Sequence, residues 1–115
     1  MEGDSCVPTS THIIKVLNDM RIAISNGKFI PVSRRKNMMT LASLGITWKD
    51  AKEEIYDLAV SDYIDGPIVD RDYPSTDRLW IFKKSVLGQI IYIKFKVLYQ
   101  EDGSVKIISF HIDEV

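Results

Sequence analysis

The chain has 115 residues and a formal net charge of −1, with 45% apolar and 27% charged residues. That length leaves room for one domain with a single core, and the balance is that of a globular chain rather than a disordered or membrane-embedded one. No apolar run approaches the roughly 20 residues that span a bilayer.

The segment Met1-Glu2-Gly3-Asp4-Ser5-Cys6 is acidic and lacks the basic-then-apolar order of a secretion signal, so the expected compartment is the cytoplasm. Residues 1–9 are expected to form a disordered tail ahead of a domain spanning residues 10–115. Cys6 lies in that tail and is the single cysteine, which within one chain makes neither a disulfide nor a cysteine zinc cluster. We read it as incidental, because a reactive thiol needs an ordered electropositive setting.

Ser10 or Thr11 caps a first helix carrying Ile13, Leu17, Met20 and Ile24 on one face. Asn26-Gly27 suits its C-terminal stop. The same dipeptide also suits a hairpin turn between Arg21 to Ile24 and Lys28 to Ile30, but the unbroken apolar face favours the helix. Phe29 to Val32 is a short extended piece that Pro31 confines to an edge or a connection. Ser33 caps a second helix with Met38, Leu41 and Leu44 on its apolar side, closed by Gly45. Thr47 and Asp50 form a capping box for a third, which buries Trp48, Ala51, Ile55 and Leu58. Arg34-Arg35-Lys36 falls in a first helical turn, where cations oppose the helix dipole. It reads as a solvated charge run, with a phosphate contact as the alternative.

Ser61 to Asp77 is rich in Asp, Pro and Gly and reads as a long irregular connection. Its acids Asp70, Asp72 and Asp77 have no spacing that would converge them on a divalent cation, and they read as loop residues. Three strands follow, Leu79 to Val86, Gln89 to Tyr99 and Val105 to Ile112. Helices first and strands afterwards indicate an α+β fold, with N-terminal helices packed on one face of a C-terminal antiparallel sheet.

Charge is unevenly spread along this order. Residues 49–77 hold nine acids against three bases, whereas residues 78–112 hold six bases, starting with Arg78, against Glu101 and Asp102. Such asymmetry makes a local field that the net value hides.

Asp102-Gly103 between two β-rich runs predicts a two-residue hairpin. With Glu101 facing Ser104, Val97 meets Ile108, Phe95 meets Phe110 and Ile93 meets Ile112, while Lys96 meets Ser109 and Lys94 meets His111. Leu87-Gly88 turns the preceding strand likewise, setting Trp80 against Phe95, Phe82 against Ile93, Lys83 against Tyr92 and Ile81 against Lys94. One face is then apolar, with Lys84 pointing to that side. The other collects Lys83, Tyr92, Lys94, Lys96, Ser109 and His111 from three strands.

A solvated lysine face is the plain explanation of that pattern. Against it, a histidine set beside lysine has no evident stabilising role unless it is neutral, and Tyr92 brings stacking or a phenolic hydroxyl to the same patch. Cations around a titratable imidazole suit phosphodiester cleavage. On RNA the neighbouring 2′-hydroxyl serves as nucleophile, so the chemistry calls for no metal, cofactor or protein nucleophile. In this reading His111 is general acid or base, Lys94 and Lys96 clamp the phosphate, and Tyr92 stacks on a base or donates a proton. Lys83, Lys96, Ser109 and Arg78 hold the RNA. A lysine crowded by other cations is an alternative base. His12 is expected to be an exposed first-turn residue.

Leu87-Gly88-Gln89-Ile90-Ile91-Tyr92-Ile93-Lys94, with Ile107-Ile108-Ser109-Phe110-His111, resembles the C-terminal half of the motility quorum-sensing regulator (MqsR) toxins. Leu44-Gly45, Ser61-Asp62-Tyr63 and Trp80 add further points of likeness, in outline across residues 11–112. The resemblance implies a RelE-like α+β fold and a metal-independent endoribonuclease that cuts messenger RNA. It also implies neutralisation by a cognate antitoxin, with a helix-turn-helix DNA-binding part expected in that partner. Tyr92 and Lys94 match family positions. The chain departs from the better-known members at His111, where they have lysine, at Ile81, where they have glutamine, and near Asp65, where they have lysine. Gly66-Pro67 to Pro74 looks like a longer insertion, so the resemblance implies a divergent branch. The competing expectations are a non-catalytic module that docks RNA or an acidic protein on the basic face, and a homologue without activity.

Overall fold

The computed structural model describes residues 9–114; Cys6 and the expected tail, apart from Thr9, lie outside the described residues. The elements are α1 (Ser10–Ser25), β1 (Phe29–Pro31), α2 (Arg35–Leu44), α3 (Trp48–Tyr56), β2 (Tyr63–Ile68), β3 (Leu79–Val86), β4 (Gln89–Val97) and β5 (Val105–Ile112). The fold is α+β. Its five strands form one sheet in the order β1-β5-β4-β3-β2, antiparallel except where β1 runs parallel to β5. No described helix is long and apolar enough to cross a membrane.

Helix α1 starts one residue earlier than expected. Thr9 is its N-cap and shares a reciprocal capping box with His12, whose Nδ1 accepts from the Thr9 N–H at 3.4 Å. Asn26 and Gly27 end it, Gly27 at φ +73° and the Lys28 N–H donating back to the Ala23 carbonyl. The Thr47–Asp50 box opens α3 as expected. Arg21 of α1 donates to the Tyr56 and Leu58 carbonyls at the C-terminal end of α3, placing a cation on the negative pole of that helix.

Helices α1 and α3 bury Ile13, Leu17, Met20, Ala51 and Ile55 against Phe82, Ile91, Ile93 and Phe95 on one sheet face. Phe82 and Phe95 stack with centroids 5.5 Å apart, and Trp48 meets Phe110 edge-on at 6.3 Å.

The second helix corrects the expectation most. Ser33 is not its cap; Arg34 holds that position without a side-chain bond. Met38 is 42% exposed, and the buried residues are Asn37, Thr40 and Leu41. The reason lies in the sheet. Strand β1 covers only Val105 to Ile107 of β5, so the rest of that edge needs other hydrogen-bond partners. Helix α2 lies along it. The Asn37 carboxamide, fully buried, donates to the Val32 and Ile108 carbonyls at 2.9 and 3.0 Å and accepts from the Phe110 N–H at 3.0 Å. Thr40 Oγ1 accepts from the Ile112 N–H at 3.1 Å.

Two corrections concern the sheet. Tyr63 to Ile68, expected to be irregular, is edge strand β2, whose pairing with β3 is interrupted twice. Gly66 lies against β3 so closely that a Cβ there would sit 2.8 Å from the Leu79 carbonyl oxygen, at a φ of +118°. The β3–β4 register is the expected one throughout, from Trp80–Phe95 to Val86–Gln89. The β4–β5 register is not. Leu98 to Ser104 form a longer loop than the two-residue turn, and β5 carries a bulge at Ile108. Val97 pairs with Val105, Phe95 with Ile107, Lys94 with Ser109, Ile93 with Phe110 and Tyr92 with His111.

The bulge lets Val105 and Ile107 face the helices together with Phe110, although their spacing breaks strict alternation. Asn37→Ala should therefore cost about 3 kcal/mol, since it orphans buried backbone groups at about 1–3 kcal/mol each. Urea unfolding reads the loss, and amide exchange at Phe110 should accelerate; a change within about 0.5 kcal/mol, as at an ordinary surface position, would show that Asn37 does not hold the bulge.

Candidate functional site

The sheet face away from α1 and α3 carries the residues singled out above, in rows set by the register. One row runs Asp65, Ile81, Lys94, Ser109 across β2 to β5; the next runs Lys83, Tyr92, His111. Successive rows lie two residues apart along each strand, about 7 Å.

Tyr92 and His111 stack with centroids 5.1 Å apart and planes 15° from parallel. The bulge makes them neighbours; the expected partner of His111, Lys94, sits instead opposite Ser109, one row away. His111 Nδ1 lies 3.1 Å from the Ile112 carbonyl oxygen. A carbonyl only accepts, so Nδ1 carries the hydrogen in this contact, and in the neutral tautomer that this allows the lone pair is on Nε2. Burial raises the Tyr92 phenol above its ordinary value; the Lys83 charge opposes this, and the Asp65 and Asp113 carboxylates add to it. The hydroxyl is a donor at neutral pH.

The lysines have unequal surroundings. Lys83 is paired with Asp113 at 2.9 Å. Lys84 reaches the helix side, as expected, and pairs with Glu54 at 2.9 Å. Lys94 is half-buried and, among the described residues, has no ion pair and no hydrogen bond.

Lys96, expected on the open face as a phosphate clamp and RNA contact, is 3% exposed. It is covered by the segment joining β2 to β3, residues 69–78, which folds across this end of the sheet as a strap. Lys96 Nζ donates to Asp70 Oδ2 at 2.8 Å and to Thr76 Oγ1 at 3.2 Å, and the Tyr73 ring lies over it at 5.3 Å. Lys106 stands directly opposite Lys96 in β5. Two facing ammonium groups repel, and the buried Asp70 carboxylate, with the Tyr73 ring also 5.9 Å from Lys106, offsets that repulsion. The hydrogen bond from Lys96 is the main reason the Asp70 carboxyl lies below its ordinary value; burial opposes it, and the Asp72 and Tyr73 amides assist.

Ser109 is buried beside Lys94. Arg78 is exposed but shares the strand parity of Trp80, on the helix side, and borders a separate cleft with Tyr99 and Gln100 at the far end of β3 from Lys83. The fold thus brings Tyr92, His111, Lys94, Ser109 and Lys83 together and leaves Lys96 beneath the strap and Arg78 apart. No protein-family model matches the chain, and no curated protein matches it in sequence.

Sequence reasoning missed the acids of this face, Asp65, Asp70 and Asp113, and the ring of Tyr73. The clue was the abundance of acids in residues 49–77 beside the lysine-bearing strands; acids and bases separated along the chain are partners in space. Asp70, Asp72 and Asp77 make no shared cluster, and among the described residues no group of three His, Cys, Asp or Glu side chains converges.

Breaking the strap pair on one side should be costly. Asp70→Ala or Lys96→Ala is expected to lose about 3 kcal/mol by urea unfolding, whereas Asp70→Leu with Lys96→Met loses far less, because no unpaired charge is left buried. The depressed Asp70 pKa gives a pH test. Its contribution is complete above the ordinary carboxylate value of 3.8 and is lost as pH falls below that through the lower folded value. Melting temperature should accordingly fall less steeply with acid in Asp70→Asn than in the wild type; identical acid limbs would remove the pair from the stability account.

Proposed function

We propose that the protein is a toxin-type endoribonuclease that cleaves messenger RNA in the cytoplasm. In this reading it is a divergent relative of the MqsR toxins in a RelE-like scaffold, and a cognate antitoxin holds it inactive. The observation that carries the reading is the stacked Tyr92–His111 pair with Lys94, which has no ion pair among the described residues, one row away on the same face.

Cleavage of RNA by its own 2′-hydroxyl needs a base for that proton, positive charge at the phosphorane oxygens and a donor for the departing 5′-oxygen. His111 Nε2 takes the 2′-hydroxyl proton. The 2′-oxygen attacks phosphorus, the bond to the 5′-oxygen breaks, and the products are a 2′,3′-cyclic phosphate and a 5′-hydroxyl. Lys94 stabilises the charge that grows on the non-bridging oxygens. The Tyr92 hydroxyl, protonated at neutral pH, supplies the proton to the leaving oxygen, and its ring holds the imidazole in place. The role first given to Lys96 passes to Lys94 alone. Asp113 holds Lys83 beside the Tyr92–His111 pair through an ion pair.

The rival reading is a module that binds RNA or an acidic protein on this face without cutting it, and the carboxylates that neutralise Lys83 and Lys96 weaken it. Induction in a bacterial host separates the two. The ribonuclease reading expects growth arrest with loss of messenger RNA, relieved by a protein encoded in a neighbouring gene. His111→Ala and Lys94→Ala should each lower the cleavage rate by about 10²- to 10³-fold while leaving the folded protein intact. RNA loss unaltered by both substitutions would remove this site, and RNA binding without cleavage would establish the module.

A further inference from the structure

Beside the Tyr92–His111 pair the strap and the sheet enclose a cleft of about 320 Å³, at the lower end of the range of roughly 300–1,000 Å³ for small-molecule sites. Its floor is Leu79, Ile81 and Lys94, and its wall is Val69, Arg71 and Asp72. Three features set it apart from a surface dimple. The floor places aliphatic side chains within a face whose next row is Lys83, Tyr92 and His111. Arg71 and Asp72 put a planar cation and a carboxylate acceptor on the exposed rim. The wall is tied down, with Asp70 held by Lys96 on one oxygen and accepting the Asp72 N–H at 3.1 Å on the other, and with the Tyr73 N–H donating to the Asp70 carbonyl at 3.1 Å.

We propose that this cleft is a nucleobase subsite: it takes one unpaired base of the RNA strand, the nucleotide next to the phosphate held by Lys94. The proposal rests on the ribonuclease reading for the position of that phosphate. A base presents two apolar faces and a polar edge. The Leu79–Ile81 floor meets a face, Arg71 stacks or donates, and Asp72 accepts from the edge. Ile81 lies directly opposite Lys94, and Tyr92 is the next residue of β4 on the same face. Cleft and catalytic pair are therefore about 7 Å apart, within the reach of a single nucleotide. The base must leave its stack to enter, so the substrate is single-stranded; in a duplex the faces are covered by neighbouring pairs. The buried Lys96–Asp70 bond gains a function here, since it holds the wall in place before RNA arrives and lowers the ordering cost of binding.

The test uses His111→Ala protein, expected to cut too slowly to consume the RNA during a binding measurement, and short fluorescent RNAs read by anisotropy: a single strand, the same strand annealed to its complement, and the same strand with one abasic nucleotide next to the cut position. On the intact single strand, Arg71→Ala and Ile81→Trp should each weaken binding about tenfold, and on the abasic strand neither should matter. Arg71 is exposed, so its variant reports even if the floor variant misfolds. Equal losses on intact and abasic strands, or none on either, would overturn the subsite. The two ideas fail separately: base-dependent binding by a wild type that cuts no RNA removes the ribonuclease and keeps the cleft, whereas cleavage indifferent to the abasic nucleotide keeps the ribonuclease and removes the cleft.

Discussion

The arrangement of the open sheet face depends on one buried carboxamide. Asn37 of α2 is fully buried against β5 and bonds to the backbone at the bulge residue Ile108 and at Phe110 beyond it. A bulge leaves one residue outside the ladder and so needs partners of its own; Asn37 provides them. The consequence reaches across the sheet. Past the bulge, β5 changes parity, so that Phe110 joins the core while Ser109 and His111 turn to the open face beside Lys94 and Tyr92. A helix that contributes little apolar surface to the core thereby determines which side chain stacks on which at the candidate site.

Charge follows the same logic of local satisfaction. The acid-rich middle of the chain and its lysine-rich strands do not make two opposed surfaces. They meet as ion pairs, Glu54 with Lys84 and Asp70 with Lys96, while Asp113 meets Lys83. Pairing inside the fold offsets the repulsion between the facing Lys96 and Lys106, draws the strap over the sheet and leaves Lys94 beside the aromatic pair. Lys94, Tyr92 and His111 thus lie together on the open face, with the strap as a wall next to them. On the proposed ribonuclease reading, such a face would position one stretch of a single strand rather than grip a long polyanion by bulk charge.

How far this was legible in the sequence differs by element. The β3–β4 ladder could be read residue by residue, because Leu87-Gly88 makes a turn with no slack and the central inward pairs, Trp80–Phe95 and Phe82–Ile93, are apolar. The β4–β5 ladder could not. Apolar matching distinguishes registers one residue apart but not two, since a slip of two returns the same faces to the core. The adjacent Ile107 and Ile108 were the trace of a parity change that alternation alone does not interpret. Helix α2 was misjudged because Asn37 and Thr40 occupy inward positions for their hydrogen bonds, while Met38 and Met39 are left exposed. Strand β2 was hidden by Gly66 and Pro67, residues that mark loops unless a neighbouring backbone requires them. His111, Tyr92 and Lys94 share the open face, as the strand pattern expects; Lys96 was misplaced, because a lysine between Phe95 and Val97 shows in sequence its strand face and not the strap that covers it.

The account turns on whether the 2′-hydroxyl attacks under the control of His111. Analysis of the ends produced when purified protein cuts a single-stranded RNA tests that step directly. A 2′,3′-cyclic phosphate on the upstream fragment and a 5′-hydroxyl on the downstream one, formed by the wild type and not by His111→Ala at equal foldedness, is the result predicted. A 3′-hydroxyl with a 5′-phosphate, or cyclic phosphate ends formed equally well without His111, would contradict it.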